Sequence, residues 1–126
     1  MTDLKDLYEA YIDCLNARDW ARLGQHVHDS VRHNDRPLGL AGYRALLEAD
    51  VAAIPDLAFK VELLICEPPH LAARLSFTCT PKGEFLGLPV NGRTVSFTEN
   101  VFYTYRDSKI WTVLSVIDKP AIERQL

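Results

Sequence analysis

The stretch from Thr94 to Asp118 constrains this chain more than any other. It reads TVSFTENVFYTYR, then Asp107-Ser108, then KIWTVLSVID. Apolar and polar residues alternate with a period of two on both sides of a short polar break, the pattern of two long strands joined by a tight turn. A hairpin with one apolar face must be covered by another apolar surface. The first half of the chain supplies the cover. Leu4, Leu7, Tyr8, Tyr11, Ile12 and Leu15 recur at steps of three and four, with Thr2 placed to cap the helix. A short helix over DWARLGQHV follows, with Asp19 as its cap, and then a brief strand in SVRHNDRP that ends in a turn. After Gly39–Gly42 a third helix presents Tyr43, Leu46, Leu47, Asp50, Val51 and Ile54, and Pro55 stops it. Asp50 interrupts that stripe and is expected at its edge, reaching water.

Two more strands, AFKVELLICE and HLAARLSFTCT, are separated by the turn EPPH. In the first, Phe59, Val61, Leu63 and Ile65 form the apolar row. In the second it is Leu71, Ala73, Leu75, Phe77 and Cys79. GEFLGLPVNGR reads as a glycine-rich connection with a tight Asn91-Gly92 turn. Helices first and strands after give an α+β fold, one domain over residues 1–126, with the helices on one face of a mostly antiparallel sheet.

Two carboxylates stand in the apolar rows of the last hairpin. Val95, Phe97, Glu99, Val101, Tyr103 and Tyr105 share one face, and Ile110, Thr112, Leu114, Val116 and Asp118 share another. A two-residue loop at Asp107-Ser108 pairs Arg106 with Lys109, and unbroken counting then sets Val101 against Leu114, Glu99 against Val116 and Phe97 against Asp118. On that register Glu99 and Asp118 share the face. A three-residue loop would part them. Burying two ionised carboxylates is costly, so one is expected to hold its proton, which gives an acid and a base in one apolar pocket. Asp118, at the strand end, is the expected base, and protonated Glu99 or His33 is the expected catalytic donor to a developing enolate oxygen. Phe97, Val101, Tyr103, Leu114 and Val116, with Tyr43 from the third helix, are the expected apolar walls. The opposite face, Thr98, Asn100, Phe102 and Thr104 against Trp111, Val113, Ser115 and Ile117, is too apolar for open water and is expected to bury itself in a homodimer.

Composition excludes several classes. A net charge of −3 gives no basic surface for nucleic acid or anionic membrane, and no apolar run is long enough to span a bilayer. Cys14, Cys66 and Cys79 are too few and scattered for a disulfide framework or a zinc site. His26 and His28, two apart, share no helix face for a metal. No glycine-rich phosphate loop follows a strand, so neither metal nor nucleotide cofactor is expected. The acidic MTDLKDLYEA start suggests a cytoplasmic protein.

RHNDRPLGLAGYRALL, IPDLAFKVELLI, GEFLGLPVNGRTVSF, ENVFYTYRDSKIWTV and SVIDKPAIERQL, within residues 32–126, together resemble the SnoaL-like polyketide cyclases, or ester cyclases, of the nuclear-transport-factor-two-like superfamily. The series is also similar to fungal terpenoid isomerases of that fold. The resemblance implies a cone-shaped α+β barrel, a curved sheet wrapped around helices, an apolar pocket, and a dimer through the outer sheet face. It implies a small-molecule substrate, intramolecular aldol closure without metal or cofactor, and Asp118 as acid-base on the last strand. It also turns His33 and Asn34 into the cavity, although VRHND by composition alone reads as a surface turn. Thr104 stands where polyketide cyclases often carry a histidine or arginine, and Pro81 where many relatives have a histidine, which weakens the case for an aromatic polyketide substrate. The fold also hosts isomerases, dehydratases, epoxide hydrolases and non-catalytic binders. A binder would have both acids tied up in salt bridges, whereas an enzyme would leave at least one free to titrate.

Overall fold

The computed structural model describes residues 3–126, so Thr2 lies outside the described residues. Helix α1 spans Leu4–Ala17. Asp3 caps it, its carboxylate accepting from the Asp6 N–H at 3.0 Å. Tyr8, Tyr11, Ile12 and Leu15 face the core, as their spacing requires. The segment Trp20–Gln25 is a 3-10 turn. Asp19 precedes it without a capping hydrogen bond and instead pairs with Arg22 at 3.5 Å. Strand β1 is Val27–His33 and helix α2 is Gly39–Ala53.

The remaining strands are β2, Lys60–Glu67; β3, His70–Cys79; β4, Glu84–Phe85; β5, Leu88–Pro89; β6, Val95–Arg106; and β7, Lys109–Ile117. Helix α3, Lys119–Glu123, follows directly. Five strands form one curved sheet in the order β1-β7-β6-β3-β2, antiparallel except for the β1–β7 pair. Among the described residues it does not close into a barrel. The glycine-rich connection forms a separate small hairpin of β4 and β5. The helices cover the inner face, and the core lies between, built on Tyr8, Tyr11, Leu15, Leu71, Ile110 and their neighbours.

Two bulges decide which side chains face inward. The β6–β7 turn is the expected two-residue loop, with Asp107 and Ser108 both in the left-handed region and Arg106 opposite Lys109. Tyr105 pairs with Ile110, but Thr104 pairs with Thr112, so Trp111 is an extra residue. One extra residue reverses the parity of everything beyond it. Val101 therefore faces Ser115 and Glu99 faces Ile117. Val113, Ser115 and Ile117 turn inward, while Leu114 and Val116 turn outward. β2 repeats the device. Val61 pairs with Leu75 and Leu63 with Arg74, leaving Glu62 extra and sending Leu63 and Ile65 to the outer surface.

Candidate functional site

A cavity of about 460 Å3 opens at one end of the sheet's inner face. Its wall is an aromatic run. Phe59 meets Phe77 edge-on at 5.6 Å between ring centroids, Phe77 stacks on Phe97 at 5.1 Å, and Phe85 of the β4–β5 hairpin meets Phe97 at 5.5 Å. Asn16 fixes the outermost ring by its backbone, its amide oxygen accepting from Phe59 N–H at 2.7 Å and its amide nitrogen donating to Phe59 C=O at 2.9 Å. Ile54, Leu57 and Ile117 complete the apolar lining, and Lys119 stands at the rim.

The polar groups gather at the inner end. Asp50 arrives from α2, Glu99 from the middle of β6, His33 from the end of β1 and Ser115 from β7. Burial pushes the Asp50 carboxyl up to about 6. Burial also raises Glu99, the charge on Asp50 adds to this, and the Ser115 hydroxyl, donating to Glu99 Oε2, opposes it. Neither carboxyl has an ion-pair partner among the described residues. His33 is held below the usual imidazole range, first by burial and then by the charge of Arg36, which keeps the ring neutral at pH 7.

Below the carboxyls lies a smaller chamber of about 60 Å3, bordered by Tyr11, Tyr43, Val101, Tyr103, Asp50 and Glu99 among others. The Tyr11 and Tyr43 hydroxyls are hydrogen-bonded at 2.7 Å, and those of Tyr8 and Tyr103 at 3.0 Å. His33 sits 6.1 Å from Tyr43, ring to ring. Desolvation holds all four phenols protonated. No group of three His, Cys, Asp or Glu side chains among the described residues is placed to hold a metal ion.

Of the residues expected from sequence, Glu99, His33 and Phe97 line the main cavity, Tyr43, Val101 and Tyr103 line the deeper chamber, and Asn34 stands at the rim. Asp118 does not join them. It caps α3, its carboxylate accepting from Ala121 N–H at 3.2 Å, and it is exposed. The Trp111 bulge is the reason, because it reverses the face on which Asp118 would otherwise fall. The same reversal places Leu114 and Val116, 45% and 71% exposed, outside the pocket. It also removes Val113, Ser115 and Ile117 from the expected outer face. Trp111 itself is half-buried under the Arg106 guanidinium at 5.0 Å, and Phe102 is outward at 62% exposure. The expected wall lacked Phe59, Phe77 and Phe85, and two polar site residues were missed. Ser115 was hidden by the bulge. Asp50 gave a signal, an acid within an apolar helical stripe.

Among the described residues no helix is long and apolar enough to cross a membrane. A search of curated proteins gives no match. Among solved structures, a SnoaL-like polyketide cyclase from Agrobacterium tumefaciens is 54% identical, with 99% of this chain and 98% of that chain covered and a TM-score of 0.98. TsrD from Streptomyces laurentii, at 24% identity over 96% of this chain and 92% of its own, has a TM-score of 0.83 and shares the fold. Residues 5–126 match the family model for SnoaL-like polyketide cyclases. With nearly its whole length inside that match, and with the open sheet, covering helices and carboxyl-floored cavity described above, the chain belongs to the SnoaL-like polyketide cyclase family.

Proposed function

We propose that this protein is an acid–base enzyme acting on an apolar, carbonyl-bearing small molecule, a cyclase or isomerase whose proton-transfer step needs only its own side chains. The observation that carries this reading is the pair of carboxyls, Asp50 and Glu99, with no cation paired to either among the described residues, at the floor of an aromatic-walled cavity. The name of the 54% identical Agrobacterium relative supports it.

Asp50 is the base. Its carboxyl, at about 6, is mostly ionised at neutral pH yet basic enough to take a proton from the carbon next to a carbonyl. Glu99 feels the Asp50 charge, keeps its proton longer and donates a hydrogen bond to the developing enolate oxygen. Neutral His33 offers a second hydrogen bond at the same end. The enolate carbon then attacks a second carbonyl within the same molecule, or is reprotonated at another position. The proton on Asp50 returns to the product, so no electrons are gained or lost. The wall of Phe59, Phe77 and Phe97 holds the flat, unsaturated part of the substrate.

The test is deuterium exchange at the α-carbon of a panel of β-diketones and β-ketoesters in D2O. Catalysed exchange, lost in Asp50→Asn and reduced in Glu99→Gln, is the expected result. Full exchange in Asp50→Asn, or binding of the panel with no exchange, would remove Asp50 from the chemistry and favour a binding protein.

We further propose a homodimer through the outer face of the sheet. Leu63, Ile65, Phe102, Leu114 and Val116 form one exposed apolar surface across β2, β6 and β7, large side chains that a second copy would cover.

A further inference from the structure

Strand β1 stops at His33 while its neighbour β7 runs on to Ile117. Asn34 and Asp35 both adopt left-handed backbone, φ 47° and 65°, and carry the chain away from the sheet. The last backbone contact is Asn34 N–H donating to Val113 C=O at 2.8 Å. Beyond it, the Asn34 side chain takes over the ladder. Its Oδ1 accepts from Ser115 N–H at 2.8 Å, and its Nδ2 donates to Ser115 C=O at 3.3 Å. A primary amide offers the same acceptor and donor as a peptide unit, so Ser115 is clamped as though β1 continued. Asn16 holds Phe59 in the same two-bond manner on the other side of the cavity.

Ser115 is diagonal to Glu99 on the inner face, and its hydroxyl donates to Glu99 Oε2. When Glu99 carries its proton and Ser115 donates to Oε2, Oε2 is the carbonyl-type oxygen and the proton sits on Oε1.

We propose that Asn34 and Ser115 form a positioning pair, Asn34 clamping Ser115 and Ser115 selecting Oε1 as the oxygen of Glu99 that presents its proton to substrate. The proposal rests on the reading of Glu99 as the working acid. The Asn34 amide oxygen and one of its two amide N–H groups are engaged by Ser115, so in this role it acts through another residue. The other titratable or charged groups around Glu99 are Asp50 and Tyr43 from α2, His33 from β1, Tyr8 and Tyr11 from α1, Tyr103 from β6, and Lys119 at the rim.

The experiment is carboxyl carbon-13 NMR of the full-length protein labelled at glutamate, with Glu99 assigned from Glu99→Gln. It needs no substrate. Ser115→Ala should raise the Glu99 titration midpoint by roughly one pH unit, because a donor to the anion is lost. Ser115→Thr should restore it, since threonine keeps the hydroxyl and suits a strand. Asn34→Gly tolerates the left-handed backbone and deletes only the amide. It should move the midpoint in the same direction and lower kcat in the exchange assay with KM unchanged. An unmoved midpoint in Ser115→Ala, or an Asn34→Gly protein that loses thermal stability while the midpoint and kcat stay fixed, would overturn the proposal. Glu99→Gln with full activity and a shifted midpoint in Ser115→Ala would instead leave the pair standing and defeat the assigned function.

Discussion

Asp50 on α2 and Glu99 on β6 line the same cavity from opposite layers of the fold, and the charge of the first pushes the carboxyl of the second upward. Burial therefore costs both of them stability when ionised, Glu99 bears the Asp50 charge as well, and that cost can be measured.

Asp50→Asn is expected to stabilise the protein at neutral pH. The folded-state carboxyl is raised from 3.8 to about 6, so its favourable contribution is complete below about pH 4 and is lost as pH rises through about 6. Undiminished, the shift corresponds to about 3 kcal/mol, and about 2 kcal/mol once water reaching this half-buried group is allowed for. Urea titrations should show the variant more stable than wild type at pH 8, with the gap closing toward pH 4. An asparagine variant less stable at pH 8 would contradict this.

Asp118→Ala is expected to cost about 1 kcal/mol through loss of the α3 cap, while Asp118→Asn, an equally good cap, costs almost nothing. Both should retain catalysed exchange within about twofold, an order-of-magnitude expectation for a change outside the site. Loss of exchange in Asp118→Asn with a normal thermal midpoint would return Asp118 to the chemistry.

The two corrections at Asp118 and Ser115 have one physical origin. Helix α1 was legible because six apolar residues at helical spacing leave one way to bury them. The inner row of β3 was legible because ten residues alternate without a break. The turn at Asp107-Ser108 was legible too. The bulges were not. A single extra residue at Trp111 or Glu62 changes no composition and leaves alternation intact on either side, yet it exchanges the two faces beyond it. A different local cue did exist for Asp118. An acid followed two residues later by Pro120 is the start signal of a helix, with proline in the first turn. Asp50 was missed for another reason. Periodicity says which face of α2 is buried, but only the placement of α2 over β6 says that a cavity lies there.

The outer face yields a third expectation. Phe102→Glu places a charge at the centre of the apolar surface formed with Leu114, Val116, Leu63 and Ile65. Light scattering should give a dimer mass for the wild type and a monomer mass for the variant, with unchanged circular dichroism. A wild type that is monomeric at micromolar concentration ends the idea.

Tyrosine hydroxyls provide an internal contrast. Tyr105 carries a buried hydroxyl with no hydrogen-bond partner among the described residues, whereas the Tyr11 hydroxyl is paired with Tyr43. Tyr105→Phe should be neutral or raise the thermal midpoint. Tyr11→Phe should lower stability by about 1–3 kcal/mol, because it strands the Tyr43 hydroxyl. Equal losses in the two variants would argue against the pairing.

The β4–β5 hairpin sets one wall of the cavity apart from the others. Phe77 and Phe97 sit on long central strands, but Phe85 sits on two-residue β4 and Leu86 in the Leu86-Gly87 turn that joins it to β5, with both turn residues left-handed. An isolated hairpin of this size has little stability of its own. The wall on the central strands is thus fixed and the wall on the hairpin adjustable, and this tolerance should show as a graded rather than abrupt response to ligands of increasing chain length. Amide hydrogen exchange should be fastest at Leu86 and Gly87, and should slow there first as longer ligands are bound. Uniform protection across the hairpin and the central strands would mean that the hairpin wall, too, is fixed.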